Sequence, residues 1–262
     1  MGDDRESANR SQSETVMRAL FNLQTRSAIR RRLERAFRLQ IISASMHGHR
    51  DCTDIEKSGY RISVVFDVGA NVGQSADKFN DAFPSAQIHC FEPVIGTFRT
   101  LSQHVSGRSN ILCHRIALGD RDGEATLYLT GSSDDNSTTN SLIRSSKTVG
   151  TEIVTLQTLD HFCLSAGVQR IDLLKIDAEG ADLDVLRGAE GMLSASRVAF
   201  VLAEVGFHPG DDRHVLFDDV RSLLVPFGFS VFGIYDQQLE WTGEQKLRFA
   251  NVCFANEGAC AK

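Results

Sequence analysis

Three short apolar runs rich in β-branched residues, ISVVFDVG (62–69), AQIHCFEP (86–93) and NILCHRIAL (110–118), are separated by stretches of helical spacing, Gln74 to Ala82 and Val94 to Val105. This alternation constrains the fold more than any other feature, because strands joined through helices pair in parallel by right-handed crossovers. The pattern continues with RIDLLKIDAEG (170–180) and VAFVLAEV (198–205), followed by a helical stretch around His214 to Leu224. FSVFGIYD (229–236) and LRFANVCFA (247–255) have no helical stretch between them, which predicts an antiparallel C-terminal edge. EATLYLT (124–130) and TEIVTLQTL (151–159) read as extra antiparallel strands flanking a loop rich in Ser, Thr, Asn and Asp. The expected fold is α/β: a doubly wound, mostly parallel sheet with helices on both faces.

Composition narrows the class. At 262 residues the chain is one large domain or a domain with an appendage. The net charge of −6 argues against general nucleic-acid binding through a basic surface. Cysteines at 52, 90, 113, 163, 253 and 260 form no C-x-x-C pair, so they read as small buried hydrophobes of a reduced compartment. No apolar run approaches the length of a spanning helix, and the polar N-terminus MGDDRESANRSQ carries neither a secretory h-region nor a myristoylation signal. A cytoplasmic location is the expectation.

Charge divides the chain. Residues 1–50 hold ten Arg against five Asp or Glu, a local net of +5, which leaves −11 for the other 212 residues. Between Glu14 and Ile42, Val16, Leu20, Leu23, Ile29, Leu33, Phe37 and Ile41 fall close to helical spacing, with Arg30, Arg31, Arg32, Arg35 and Arg38 among them. A basic amphipathic helix of this kind docks peripherally on an acidic membrane surface, packs on its own domain, or crosses to another subunit of a homo-oligomer. Residues 1–12 have the composition of a disordered segment. The expected division is a basic helical extension over 1–58 and a catalytic domain over 59–262. In HGHRDC (47–52), two histidines at i and i+2 without a matching pair read as surface loop residues rather than metal ligands.

The first strand ends in VVFDVGANVGQ (64–74), where Gly69 and Gly73 stand four apart and are followed by Gln74. In open α/β sheets ligands bind at the carboxyl ends of strands. A glycine at 69 permits a tight turn and close backbone approach to a ligand, and Gly73 lets the next helix start near the strand. The dinucleotide fingerprint G-x-G-x-x-G is not met, because position 71 is Asn. Asp67 adds a charge that repels a diphosphate but suits a cation such as the sulfonium and amino group of S-adenosylmethionine. Glu92 ends the second strand, 25 residues on, where an acidic side chain takes both ribose hydroxyls of an adenosine ligand. IALGD (116–120) offers Ala117 and Leu118 as an adenine-side wall and Asp120 as a polar neighbour.

FDVGANVGQ, FEP, ALGD-x-DG, NSTTNSL, TLD, LLKIDAEGAD and the late AEV together resemble the FkbM-type S-adenosylmethionine-dependent methyltransferases. The resemblance covers about residues 60–255, with Asp at 182 where the family usually has Glu, and it leaves the N-terminal 58 residues without a counterpart. It implies a Rossmann-like class I methyltransferase sheet and an O-methyltransferase acting on hydroxyls of sugars, glycolipids, polysaccharides or natural products. It also makes Asn136 and Ser141, in the loop DDNSTTNSL (134–142), candidates for closing over donor or acceptor.

The acceptor side falls at the fourth main strand. Asp177 stands at its carboxyl end and Glu179 on the turn that follows. Methyl transfer from a sulfonium is an in-line displacement: alignment supplies roughly 7–11 kcal/mol of the barrier, and a positioned base about 3–5 kcal/mol. The base candidates are Asp177, Glu179, Glu204 and His208, with Lys175 as a local charge partner. Asp177, Glu179 and Glu204 are also a candidate oxygen set for Mg²⁺ or a similar cation, a role the sequence leaves open without requiring it. Two alternatives stand beside O-methylation: N- or carboxyl-methylation on the same fold, and a non-catalytic S-adenosylmethionine-binding module.

Overall fold

The computed structural model describes residues 50–130, 148–209, 214–239 and 246–260. The basic helix expected over Glu14–Ile42, the His47–His49 pair and the loop residues Asn136 and Ser141 lie outside the described residues.

The chain enters through α1 (Arg50–Lys57) and then alternates β1 (Val64–Val68), α2 (Gln74–Ala82), β2 (Gln87–Phe91), α3 (Ile95–His104) and β3 (Ile111–His114). Three short-sheet strands follow: β4 (Ala117–Gly119), β5 (Gly123–Thr130) and β6 (Thr148–Thr158). The main sheet resumes through α4 (Leu159–Ala166), β7 (Ile171–Ile176), α5 (Asp182–Arg187), α6 (Glu190–Ser194) and β8 (Val198–Gly206). A two-residue β9 (Val215–Leu216) precedes α7 (Phe217–Leu224), and β10 (Phe229–Leu239), β11 (Leu247–Asn256) and α8 (Glu257–Cys260) complete the described chain.

The main sheet runs in the order β10-β11-β8-β7-β1-β2-β3, with β9 beside β8. From β8 to β3 the pairs are parallel, whereas β11 is antiparallel to both β8 and β10. The chain first builds outward from β1 to β3, then returns to the other side of β1 with β7. The sheet's order therefore reverses between β1 and β7, and it is outside the carboxyl ends of strands at such a switch that α/β folds bind ligands.

Alternate residues of the central strands feed two cores. Phe66, Val68, Leu174 and Ile176 pack on one face, while Val65 and Leu173 pack on the other with Phe79, Ile88 and Leu101. Burial on both faces explains why these strands read as continuous apolar runs rather than alternating ones. Cys52 and Ile55 of α1 join the second core, so residues expected to belong to the basic extension pack with the sheet. All six cysteines are free thiols, and four are buried.

Two local expectations are corrected. NILCHRIAL is not one strand. β3 follows β2 only as far as His114, opposite Phe91, where β2 itself stops; the chain then leaves the main sheet, and Ala117–Gly119 pairs in parallel with β6. An unbroken apolar run does not report a change of partner. TEIVTLQTL also ends one residue early, because Thr158 caps a helix: its Oγ1 accepts the N–H of His161 at 3.2 Å, and Gly167 closes the helix at φ 70°. Asp160 then ties α4 to α6 by accepting the N–H groups of Gly191 and Met192 at 2.6 and 2.8 Å.

Candidate active site

The tips of β2, β1 and β7 are stitched together. Gly69 and Ala70 both donate to the Phe91 carbonyl at 3.1 Å, and Asp177 N–H donates to the Val68 carbonyl at 3.1 Å. Gly69 has φ 75°, and a β-carbon there would collide with the Asp177 carbonyl. The neighbouring strand tip thus demands glycine at 69 in addition to the tight turn expected there. Gly73, at φ 105°, serves helix packing: its β-carbon would stand 2.9 Å from the His104 ring and 3.2 Å from Leu101. Asn71 adopts φ 49°, a left-handed conformation that Asn tolerates better than most residues.

Above these tips opens a cavity of about 480 Å³. Gly69, Asn71 and Gln74 line it from the first βα turn, Glu92 from the end of β2, and Ala117, Leu118 and Leu127 from the small sheet. Lys175, Asp177 and Glu179 line it from β7 and its turn, Glu204 from β8 and Asn251 from β11. Several sequence candidates are thereby brought together and others are not. Gly73 stays behind the turn, Asp120 is exposed and paired with Arg121 at 3.0 Å, and His208 is exposed on the chain after β8; none of the three is among the lining residues.

Asp67 requires the largest correction. Its side chain is 0% exposed and lies beneath the cavity floor, where the Ser75 hydroxyl donates to Oδ2 at 2.6 Å. Lys175 Nζ stands 3.3 Å from Asp67 Oδ1 and 3.3 Å from Asp177 Oδ2. The approach to Oδ1 is an ion pair without hydrogen-bond geometry, so this buried oxygen has no hydrogen-bond partner. The Asp67 charge is matched by the protein's own lysine rather than offered to a ligand. Burial works against the charge on Lys175, but Asp67 and Asp177 outweigh it and hold the ammonium above its ordinary value.

Glu92 is 7% exposed, and its Oε1 accepts the Val94 N–H at 2.9 Å. Burial raises its carboxyl to about 7 despite the amides of Val94 and Asn71, which pull the other way. Asp182 is a residue whose structural work the sequence reading missed. Its carboxylate accepts from Ala178 N–H at 3.4 Å and Gly180 N–H at 3.2 Å, holding the turn on which Glu179 sits at φ 47°. Burial, with Asp177 beside it, raises Asp182 to about 6. An aspartate two residues after a turn glycine, at the first position of a helix, is the signal that marks this role.

His214 was also missed as a site residue. It precedes β9 rather than sitting in the helix, which begins at Phe217. Its Nε2 lies 3.1 Å from Glu204 Oε2, and its ring stacks on Phe249 with centroids 4.4 Å apart. Asp177, Glu179, Asp182, Glu204 and His214 line a small niche adjoining the main cavity. Among the described residues, no group of three or more His, Cys, Asp or Glu is arranged to hold a metal ion.

An adenosine-sized cavity at the switch point of a mostly parallel sheet, with an acid at the end of β2 and carboxylates across from it, defines a methyltransferase of the Rossmann-like class. The chain belongs to the FkbM family of methyltransferases: the model of the methyltransferase FkbM domain matches residues 67–231. It is 27% identical over 149 residues to 2-O-methyltransferase NoeI of Sinorhizobium fredii, spanning 52% of this chain and 61% of NoeI. It is 30% identical over 207 residues to 31-O-demethyl-FK506 methyltransferase FkbM of Streptomyces tacrolimicus, spanning 66% of this chain and 75% of that protein. Among solved structures, methyltransferase FkbM from Methylobacillus flagellatus aligns with a TM-score of 0.46 at 16% identity, covering 73% of this chain and 44% of that one.

Proposed function

We propose that this chain is an S-adenosylmethionine-dependent O-methyltransferase whose acceptor is a hydroxyl of a sugar, glycolipid, polysaccharide or natural product. One observation carries the reading. A single cavity joins Glu92 and the apolar Ala117–Leu118–Leu127 wall at one end to Asp177, Glu179 and Glu204 at the other. The residues fit the donor: a carboxylate for vicinal ribose hydroxyls, apolar walls for adenine, and acidic groups where a sulfonium and an ammonium would lie. The names of NoeI and of FkbM, both O-methylating relatives, support the choice of oxygen.

The donor supplies an electrophilic methyl group on sulfur. The protein's share begins with alignment: the stitched tips of β1, β2 and β7 fix Glu92 and Asp177 relative to each other, so donor and acceptor meet in one geometry. Lys175 pins Asp177 and Asp67, which keeps the floor rigid. An alkyl hydroxyl is too weak an acid to ionise in advance, so its proton leaves as the C–O bond forms. Glu204 is the group we assign to take that proton, because it faces the cavity while His214 holds its other side at 3.1 Å.

A carboxylate acceptor would be repelled by the three acidic groups at this end of the cavity, which favours a neutral hydroxyl over carboxyl-methylation. The reading is tested by incubating cell extracts and purified glycans with the protein and methyl-tritiated donor, then locating the label by mass spectrometry. Label on a hydroxyl oxygen supports it; label on nitrogen or on a carboxylate replaces it. Donor binding without transfer to any fraction points to the binding module.

A further inference from the structure

Helix α1 lies outside the residues matched by the family model and contributes no lining residue, yet it contacts one that does. Its Asp51 is 1% exposed, and Asp51 Oδ2 stands 2.7 Å from Nζ of Lys78 on α2. Lys78 lines the cavity on the same helix as Gln74 and Ser75. The other lysine of the wall, Lys175, is already shared between Asp67 and Asp177. The remaining charged groups of the lining are the carboxylates of Glu92, Asp177, Glu179 and Glu204.

This balance leaves one part of the donor without a match. S-adenosylmethionine carries a sulfonium, an ammonium and an α-carboxylate, and the acidic lining suits the first two but repels the third. We propose that Lys78, clamped by the buried Asp51, receives the α-carboxylate of the donor's amino-acid end, so that α1 is part of the donor site. The inference rests on the donor reading above. An ammonium has three N–H donors, and Asp51 takes one of them. Because the clamp pre-sets the long lysine side chain, less rotamer freedom is lost when a carboxylate arrives. The acid that orients the donor's anchor thus comes from residues expected to belong to the N-terminal extension.

The test compares two ligands on the full chain by titration calorimetry. S-adenosylhomocysteine keeps the amino-acid end, and 5′-methylthioadenosine lacks it while keeping the adenosine and the thioether. In Lys78→Ala, the first should bind about ten- to a hundredfold more weakly, while the second stays within twofold. That variant strands a buried carboxylate and endangers the fold. The double variant Asp51→Asn with Lys78→Met removes both charges at similar volume and should show the same selective loss. Equal change for both ligands, or no change for either, overturns the assignment. A wild-type protein that binds neither ligand overturns the donor reading and this inference with it.

Discussion

The carbonyl oxygen of Asp177 occupies the space that a β-carbon on Gly69 would need. The two loops that frame the cavity are therefore packed on one another through a missing side chain. Gly69→Ala must both relieve that collision and place a side chain at φ 75°. The expected result is a loss of at least about 2 kcal/mol in urea unfolding, together with weakened S-adenosylhomocysteine binding. A variant as stable as the wild type would mean that the two loops separate freely.

Glu92 sets a conflict between stability and binding. Its carboxyl lies near 7 in the fold against an ordinary 4.5, so the folded chain holds an extra proton between those values. Stability contributed by this group is present at low pH and is lost as pH rises through that window, by on the order of 3 kcal/mol once pH 8 is reached. Glu92→Gln should therefore melt higher than wild type at pH 8, with the gap closing near pH 4.5, and should bind S-adenosylhomocysteine more weakly. Wild-type affinity should itself fall from pH 8 to pH 6 as the carboxylate is protonated. Parallel melting curves across that range would remove burial as the cause.

Lys175 is the sole ion-pair partner recorded for the fully buried Asp67 among the described residues. Lys175→Met leaves that carboxylate uncompensated and should cost about 3–5 kcal/mol in urea unfolding. Adding Asp67→Asn to it should restore much of the loss. If Lys175→Met alone costs under about 1 kcal/mol, the pair does not hold the floor together.

Glu204 and His214 separate proton removal from donor binding. With an acceptor that the wild type methylates, Glu204→Gln should lower kcat about 10²–10⁴-fold, with S-adenosylhomocysteine affinity within twofold. His214→Gln acts through Glu204, so a smaller loss in kcat and a displaced pH profile are expected. Equal losses of turnover and donor affinity would move Glu204 out of the acceptor side.

Much of the site was legible in the chain because strand–helix alternation places strand ends at one edge of a sheet. Glu92, Asn71, Gln74, Ala117, Asp177, Glu179 and Glu204 all reach the cavity for that reason. Asp67 was legible as an acid at a strand end and Lys175 as a local charge partner, but the sequence carries no sign that the two would pair. His208 and His214 flank the same segment, and only the stacking on Phe249 and the approach to Glu204 select His214.

Local chemistry in the chain determined the parallel sheet, its antiparallel edge, the turn at Gly69–Gly73 and the two acidic strand ends, since period, turn residues and spacing are properties of neighbours in sequence. Only the tertiary structure decided which charges are spent inside the protein and which face the cavity. Asp67 and Lys175 are 108 residues apart and Asp51 and Lys78 are 27 apart, and burial together with distance settles each pairing. Electrostatic partners are chosen by proximity in a low-dielectric interior, which no reading of adjacent residues contains.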